Sequence, residues 1–271
     1  PTESSTFLRV LEAIDKSEGL WSAFEQINAQ KGATCVSHVK IAEFAPIPDG
    51  RLAYWTSSRW RRIFGQLESF ENVYGPVKDG ATPGDDFRFL RCIWEVPEEQ
   101  IGYRKRWLPI VKGGDYAPYY AFPHLVFDWC DSTSSARAHE KAVLRNVSFY
   151  GRPGLTYTER TTSSLSVRLL PAECGFTTVG QTMFPSVPDD ALTALGLWMS
   201  QPCQRIVEMV VGAGDTSQSG SAARHYRNGL IARLPIPRLK SKRAADLRAS
   251  VLRIAYIHRA FLASDEHSPD F

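Results

Sequence analysis

Arginine, threonine and serine crowd the stretch from Phe149 to Phe184, FYGRPGLTYTERTTSSLSVRLLPAECGFTTVGQTMF. The chemistry those side chains offer is recognition of a polyanion or a polar ligand. A guanidinium presents forked donors that match phosphate oxygens and base edges, and a hydroxyl both donates and accepts. Arg152, Thr156, Arg160, Ser166 and Arg168 are the candidates inside the stretch. Lys112 joins them, because Lys112-Gly113-Gly114 sets an ammonium beside a backbone that phosphate oxygens approach closely. A bare turn after a strand has the same spelling. Arg104, Lys105 and Arg106 form a second basic run, and Arg59 and Arg62 lie in the first turns of a helix. Positive charge there opposes the helix dipole, a mild cost that a bound anion offsets. A solvated helix face accounts for those two arginines equally well.

Catalytic patterns are missing. The sequence holds no Gly-rich strand–turn–helix fingerprint, no GxSxG elbow and no HExxH pair, and GAGDTSQSG lacks the preceding strand and the spacing. The six histidines do not pair at ligand spacing, and the five cysteines are scattered singly. No metal site is therefore expected, and a reduced, cytoplasmic setting is. Asp85 and Asp86 followed by Glu95 sketch a nuclease site, but Pro97 stands where such a site wants a lysine. An amino methyltransferase needs a Gly-rich loop for S-adenosylmethionine and an Asn/Asp-Pro-Pro-aromatic turn for the flipped base. The chain contains no Pro-Pro at all. No catalytic residue is assigned and no cofactor is expected on this chain.

The elements that must position the basic residues follow from periodicity. With 271 residues and 43% hydrophobic residues, the chain suits one large domain or two small ones. Phe7–Asp15 and Leu20–Ala29 read as helices, and Thr34–Phe44 as a strand. Ser57 and Ser58 cap a helix whose apolar face carries Trp60, Ile63, Phe64 and Leu67. Val77–Asp86 reads as a loop, Phe87–Val96 and Pro123–Cys130 as strands, and Ala136–Leu144 as a short helix. Leu155–Thr158 and Ser164–Leu170 read as strands. In the second, Leu165, Val167 and Leu169 face one way, Ser166 and Arg168 the other. Asp189–Val211 reads as two helices interrupted at Pro202, Gly229–Pro237 as a strand and Lys242–Ala263 as an amphipathic helix. From Arg224 to Arg259 ten lysines and arginines face the single acid Asp246, although the net charge is only +3. No apolar run reaches spanning length and no signal-peptide core is present, so no membrane partner is expected.

Several stretches in this order resemble the C-terminal half of large adenine-specific DNA methyltransferases. These are the PglX-type enzymes of BREX phage-defence systems and the related type IIG restriction-modification and DISARM methylases. The matching pieces are Ala53-Tyr54-Trp55, GDDFRFLRCIWEV (Gly84–Val96), WLPIVKGGDYAPYY (Trp107–Tyr120), Asp128-Trp129, RPGLTYTERTTSSLSVR (Arg152–Arg168), Leu170–Phe184 and GLIARLPIP (Gly229–Pro237). They span most of residues 45–240. In that family this half is the target recognition domain, joined to a helical spacer and similar to the specificity subunit of type I restriction systems. Asp265–Phe271 departs from the family's ending.

The resemblance implies a mixed α/β fold: an irregular, largely antiparallel sheet with flanking helices. The expected parts are N-terminal helices and a lead-in strand (1–44), a recognition domain (45–188) and a C-terminal helical spacer (189–271). It implies that the chain reads double-stranded DNA beside a methyltransferase catalytic domain or subunit, where S-adenosylmethionine is held. Under that reading Lys112, Arg152, Thr156, Arg160, Ser166 and Arg168 face the DNA, while Arg59, Arg62, Arg104, Lys105 and Arg106 contact its backbone. A protein–protein adaptor, a stand-alone specificity subunit and a nuclease with a cryptic metal site are the rivals.

Overall fold

A computed structural model describes residues 47–48, 56–129, 139–211 and 223–264. The expected elements Phe7–Asp15, Leu20–Ala29 and Thr34–Phe44 lie outside these residues, as does the loop Gly212–Ser221. The chain divides into two compact units, Pro1–Gln66 and Leu67–Phe271. In the first, the described residues form helix α1 (Ser58–Gln66). Its first turn is closed by Trp60 N–H donating to Ser57 O at 3.0 Å. Arg59 and Arg62 are exposed on it, whereas Arg61 is buried and donates to Thr56 O.

The second unit is mixed α/β. Its elements begin with α2 (Phe70–Val73), β1 (Val77–Lys78), α3 (Asp86–Phe89), β2 (Leu90–Cys92), β3 (Trp107–Val111) and β4 (Leu125–Asp128). There follow β5 (Gly154–Thr158), β6 (Arg160–Thr161), β7 (Val167–Leu170), β8 (Gly175–Phe176) and β9 (Gly180–Met183). The rest are α4 (Pro188–Trp198), α5 (Gln201–Val211), β10 (Arg224–His225), α6 (Asn228–Arg233) and α7 (Ser241–Leu262). One sheet runs β1-β9-β5-β7, antiparallel throughout. The other runs β2-β4-β3-β8, with β3 and β8 parallel. A short ribbon pairs β6 with β10.

The core explains the order of these parts. Phe89, Leu108, Ile110, Phe127, Tyr150 and Phe176 pack as one buried cluster under the second sheet, joined by Leu170 and Phe184. Aromatic edges lock it: Tyr150 meets Phe176 at 5.1 Å between centroids, and Phe176 meets Phe184 at 5.3 Å. Helix α4 carries Gly196 where α7 crosses, since a Cβ there would lie 2.8 Å from Leu247 and Val251. That bare spot lets Val251 and Ala255 of α7 reach α4 closely and stay buried.

Several expectations are corrected. Phe87–Val96 is not one strand: the Asp85 side chain accepts from Arg88 N–H at 3.1 Å and starts α3, leaving only Leu90–Cys92 extended. Within Ala136–Leu144, residues 139–144 make a turn and a backbone pairing of Val143 with Thr82, not a helix. Val77–Asp86 contains strand β1. Gly229–Pro237 opens with helix α6, because Leu230, Ile231 and Leu234 bury at helical spacing. The break between α4 and α5 falls at Met199–Ser200, and Pro202 sits inside the first turn of α5.

Candidate nucleic-acid interface

The structure sorts the basic and hydroxylic candidates into an outer and an inner set. Arg104, Lys105, Arg106, Arg152 and Arg160 are exposed, as are Arg59 and Arg62 in the first unit. Thr156, Ser166 and Arg168 are buried, Thr156 completely. The last three therefore do not present to a groove, which corrects their assignment as DNA-facing. Lys112 is half-buried and pairs with Asp86, so its ammonium is already engaged.

The outer set is organised by aromatic rings. The turn before β5 places Gly151 at φ +79°, and its Cα lies so near Tyr103 that a Cβ would meet the ring at 2.9 Å. That contact brings the turn carrying Arg152 against Tyr103, the residue before Arg104. Arg152 lies 4.9 Å from the Phe149 ring centroid, with Lys78 5.9 Å from the same ring. Arg106 stacks 5.2 Å from the Trp107 ring and pairs with Asp128 at 3.7 Å. The charged heads of an aromatic-backed cluster are held in place while their outer donors stay in water, the arrangement that suits phosphate contact. Lys78 does not stand out in the sequence, because no second basic residue adjoins it in GPVKDG; only the fold brings it to Phe149. Arg160 stands apart on the β6–β10 ribbon, opposite His225.

The inner set fails to reach the surface for a specific reason. Alternation placed Ser166 and Arg168 on one polar face, and the pairing adds Thr156 to it as the cross-strand partner of Arg168. The molecule's own Lys112-Gly113-Gly114 loop covers that face. Arg168 Nη2 donates to Gly113 O at 2.5 Å, and Thr158 Oγ1 donates to Gly114 O at 3.0 Å. Thr156 Oγ1 donates to Gln181 O at 3.1 Å. Tyr119 pairs with the outer edge of β7, its N–H donating to Val167 O at 2.8 Å. Arg168 is thus largely covered by its own chain, and burial pulls its pKa below the usual guanidinium value.

The titratable groups point away from nucleophilic chemistry. Burial, aided by Glu173, pushes the Cys174 thiol up to about 12, and burial raises Cys203 as well. Tyr74 is pushed up to about 12 by burial and then by Asp190. Each of these acids is neutral in the fold and ionises in the unfolded chain near its ordinary value, 9.0 for a thiol and 10.0 for a phenol. Between the ordinary and the raised values the folded state holds more protons. Stability is therefore full below pH 9 and falls as pH climbs towards 12. Denaturant midpoints at about pH 8 and about pH 10.5 are expected to drop between the two. An unchanged midpoint would show that these groups ionise freely in the native state. Among the described residues, no three His, Cys, Asp or Glu side chains gather to hold a metal ion, and no helix is long and apolar enough to cross a membrane.

No family model matches the chain. It is similar to the adenine-specific methyltransferase PglX of Lacticaseibacillus casei (strain Zhang), 22% identical over 235 residues, covering 80% of this chain and 19% of that protein. It is also similar to the adenine-specific methyltransferase BrxX of Escherichia coli O9:H4 (strain HS), 27% identical over 154 residues, covering 55% of this chain and 12% of that protein. The chain spans less than a fifth of the length of either relative. It is thus distantly related to a part of adenine-specific methyltransferases.

Proposed function

We propose that this chain is a double-stranded DNA recognition module of an adenine-specific methyltransferase, of the kind used in phage defence or restriction-modification. It directs a catalytic domain or subunit that holds S-adenosylmethionine and is not formed by this chain's own residues. The observation that carries the reading is the basic set of exposed Arg104, Lys105, Arg106 and Arg152 with half-buried Lys78, in which Lys78, Arg106 and Arg152 lie against aromatic rings, taken with the likeness to PglX and BrxX. Cations on a rigid platform neutralise phosphates and release counterions, which gives affinity that falls with salt. Sequence is then read by neighbouring loop side chains at base edges. Arg160 and, in the first unit, Arg59 and Arg62 are further phosphate contacts.

Alanine at Arg104, Lys105, Arg106 and Arg152 together is expected to lower duplex affinity at least tenfold in an anisotropy titration. The slope of log affinity against log salt is expected to flatten by about 0.9 per lost contact, roughly 3 to 4 in all. Wild-type affinity and slope in that variant would end the assignment. A second reading, as a protein-docking adaptor, draws on α7, where Leu252, Tyr256, Ile257 and Phe261 are exposed. Duplex binding that is undetectable or flat in salt would favour it.

A further inference from the structure

Arg168 is 3% exposed, its Nη2 bonds Gly113 O and lies 3.5 Å from Thr158 Oγ1, and its Nη1 is shielded from solvent with no hydrogen-bond partner. No carboxylate among the described residues lies within ion-pair distance of it, Asp115 included. A guanidinium stays charged at neutral pH, and a buried charge without a counter-ion is strongly unfavourable. The residue forms part of the wall of a cavity of about 580 Å³, with Lys112, Gly113, Gly114, Trp94 and His124 around the same space. Gly113 and Gly114 have φ of +94° and +115°, and a Cβ at Gly114 would meet nothing, so the loop backbone stands open to an incoming group. The rest of the wall is apolar: Ile110, Phe122, Leu125 and Leu262 contribute to it. A bare phosphate ion is far smaller than this space, which falls in the range that takes a small organic ligand.

We propose that this cavity binds a phosphate monoester carried on a flat apolar body, of mononucleotide size, with Arg168 as the counter-charge to the phosphate. As a wall residue Arg168 supplies the charge opposite the oxyanion, beside the Lys112–Gly114 loop, and the apolar wall receives the body. The site is independent of the exposed basic cluster. Its ligand is either a free mononucleotide or a nucleotide unit of bound nucleic acid.

Thermal melting of the full chain with a mixture of the four 5′-mononucleotides tests it, against the matching nucleosides and against chloride at equal ionic strength. At about ten times the dissociation constant the melting temperature is expected to rise by roughly 3–6 °C with nucleotides and not with nucleosides. Arg168→Met removes the counter-charge and is expected to abolish the rise. No rise in the wild type, an equal rise with nucleosides, or a rise undiminished in Arg168→Met each overturns the proposal. The wild-type comparison stands even if the variant fails to fold. Mononucleotide that displaces a duplex places a nucleotide of the nucleic acid in the cavity, and no displacement identifies the free nucleotide as the ligand. Failure of the chain to bind duplex at all leaves the melting result intact, so the two readings are separately refutable.

Discussion

Replacing Trp198 with alanine is expected to lower the unfolding free energy by about 3–5 kcal/mol, the largest effect of any single substitution considered. Trp198 ends α4 fully buried, its ring 5.4 Å from Phe70, which stacks in turn on Tyr74 at 5.4 Å. The backbone around it is fixed as well, because Gln204 Nε2 donates to Trp198 O at 2.8 Å and to Leu165 O at 3.0 Å. Loss of the indole therefore leaves a cavity that α4, α5 and the approach to β7 cannot collapse to fill. Against a total stability of about 5–15 kcal/mol, that deficit approaches unfolding. Trp198→Phe is the informative companion. The indole N–H is buried with no hydrogen-bond partner, so phenylalanine removes an unmet donor along with some volume. It is expected to cost much less than alanine in urea unfolding. Equal costs for the two, or an alanine variant within about 1 kcal/mol of wild type, would show that this aromatic group lies outside the cooperative core.

The second large effect is at Gly180, the first residue of β9. A Cβ there would lie 2.7 Å from Val111 O and 2.8 Å from Gly113 N, which are backbone atoms on the end of β3 and the glycine loop. Both sides of the contact are main chain, so neither yields by a change of rotamer. Gly180→Val is expected to destabilise by about 3 kcal/mol and to push the Lys112–Gly114 loop off the β5–β7 face. The variant is then expected to lose the mononucleotide response even at temperatures where it stays folded. Gly229→Ala supplies the control: it lies in α6 and a Cβ there meets nothing, so its stability is expected to be unchanged or slightly higher. A Gly180→Val protein as stable as wild type would show that the two sheets are not held as closely as the backbone distances say.

What could be read from the sequence was whatever depended on neighbours along the chain. Strands β5 and β7, helices α4 and α5 and the long α7 follow from apolar spacing, and the common polar face of Ser166 and Arg168 follows from alternation. What covers that face does not. The Lys112–Gly114 loop lies more than forty residues away in the chain, and its glycines spell an approachable phosphate loop as readily as a lid over the molecule's own arginine. The same non-locality hid Lys78 and the pairing of Lys112 with Asp86. Gly229–Pro237 was misread because its apolar residues satisfy two periods at once. Leu230, Ile231 and Leu234 fit a helix, Leu234 and Ile236 a strand; the first is realised as α6, the second only as an isolated bridge of Pro235 with Ser69. Asp85 was the signal that divided Phe87–Val96, since a cap before Asp86 turns the first half of an apparent strand into a helical turn.

Among the described residues β1 pairs only with strand β9, with Val77 opposite Met183. A ribosome delivers these residues in order, so Val77 waits through the synthesis of nearly the whole of both sheets before its partner emerges. Contacts between residues so distant in the chain close slowly. Meanwhile Leu108, Ile110 and Phe127, all of them interior in the finished molecule, stand uncovered. A nascent chain stalled short of β9 is therefore expected to depend on chaperones, and a truncation ending there to accumulate as aggregate.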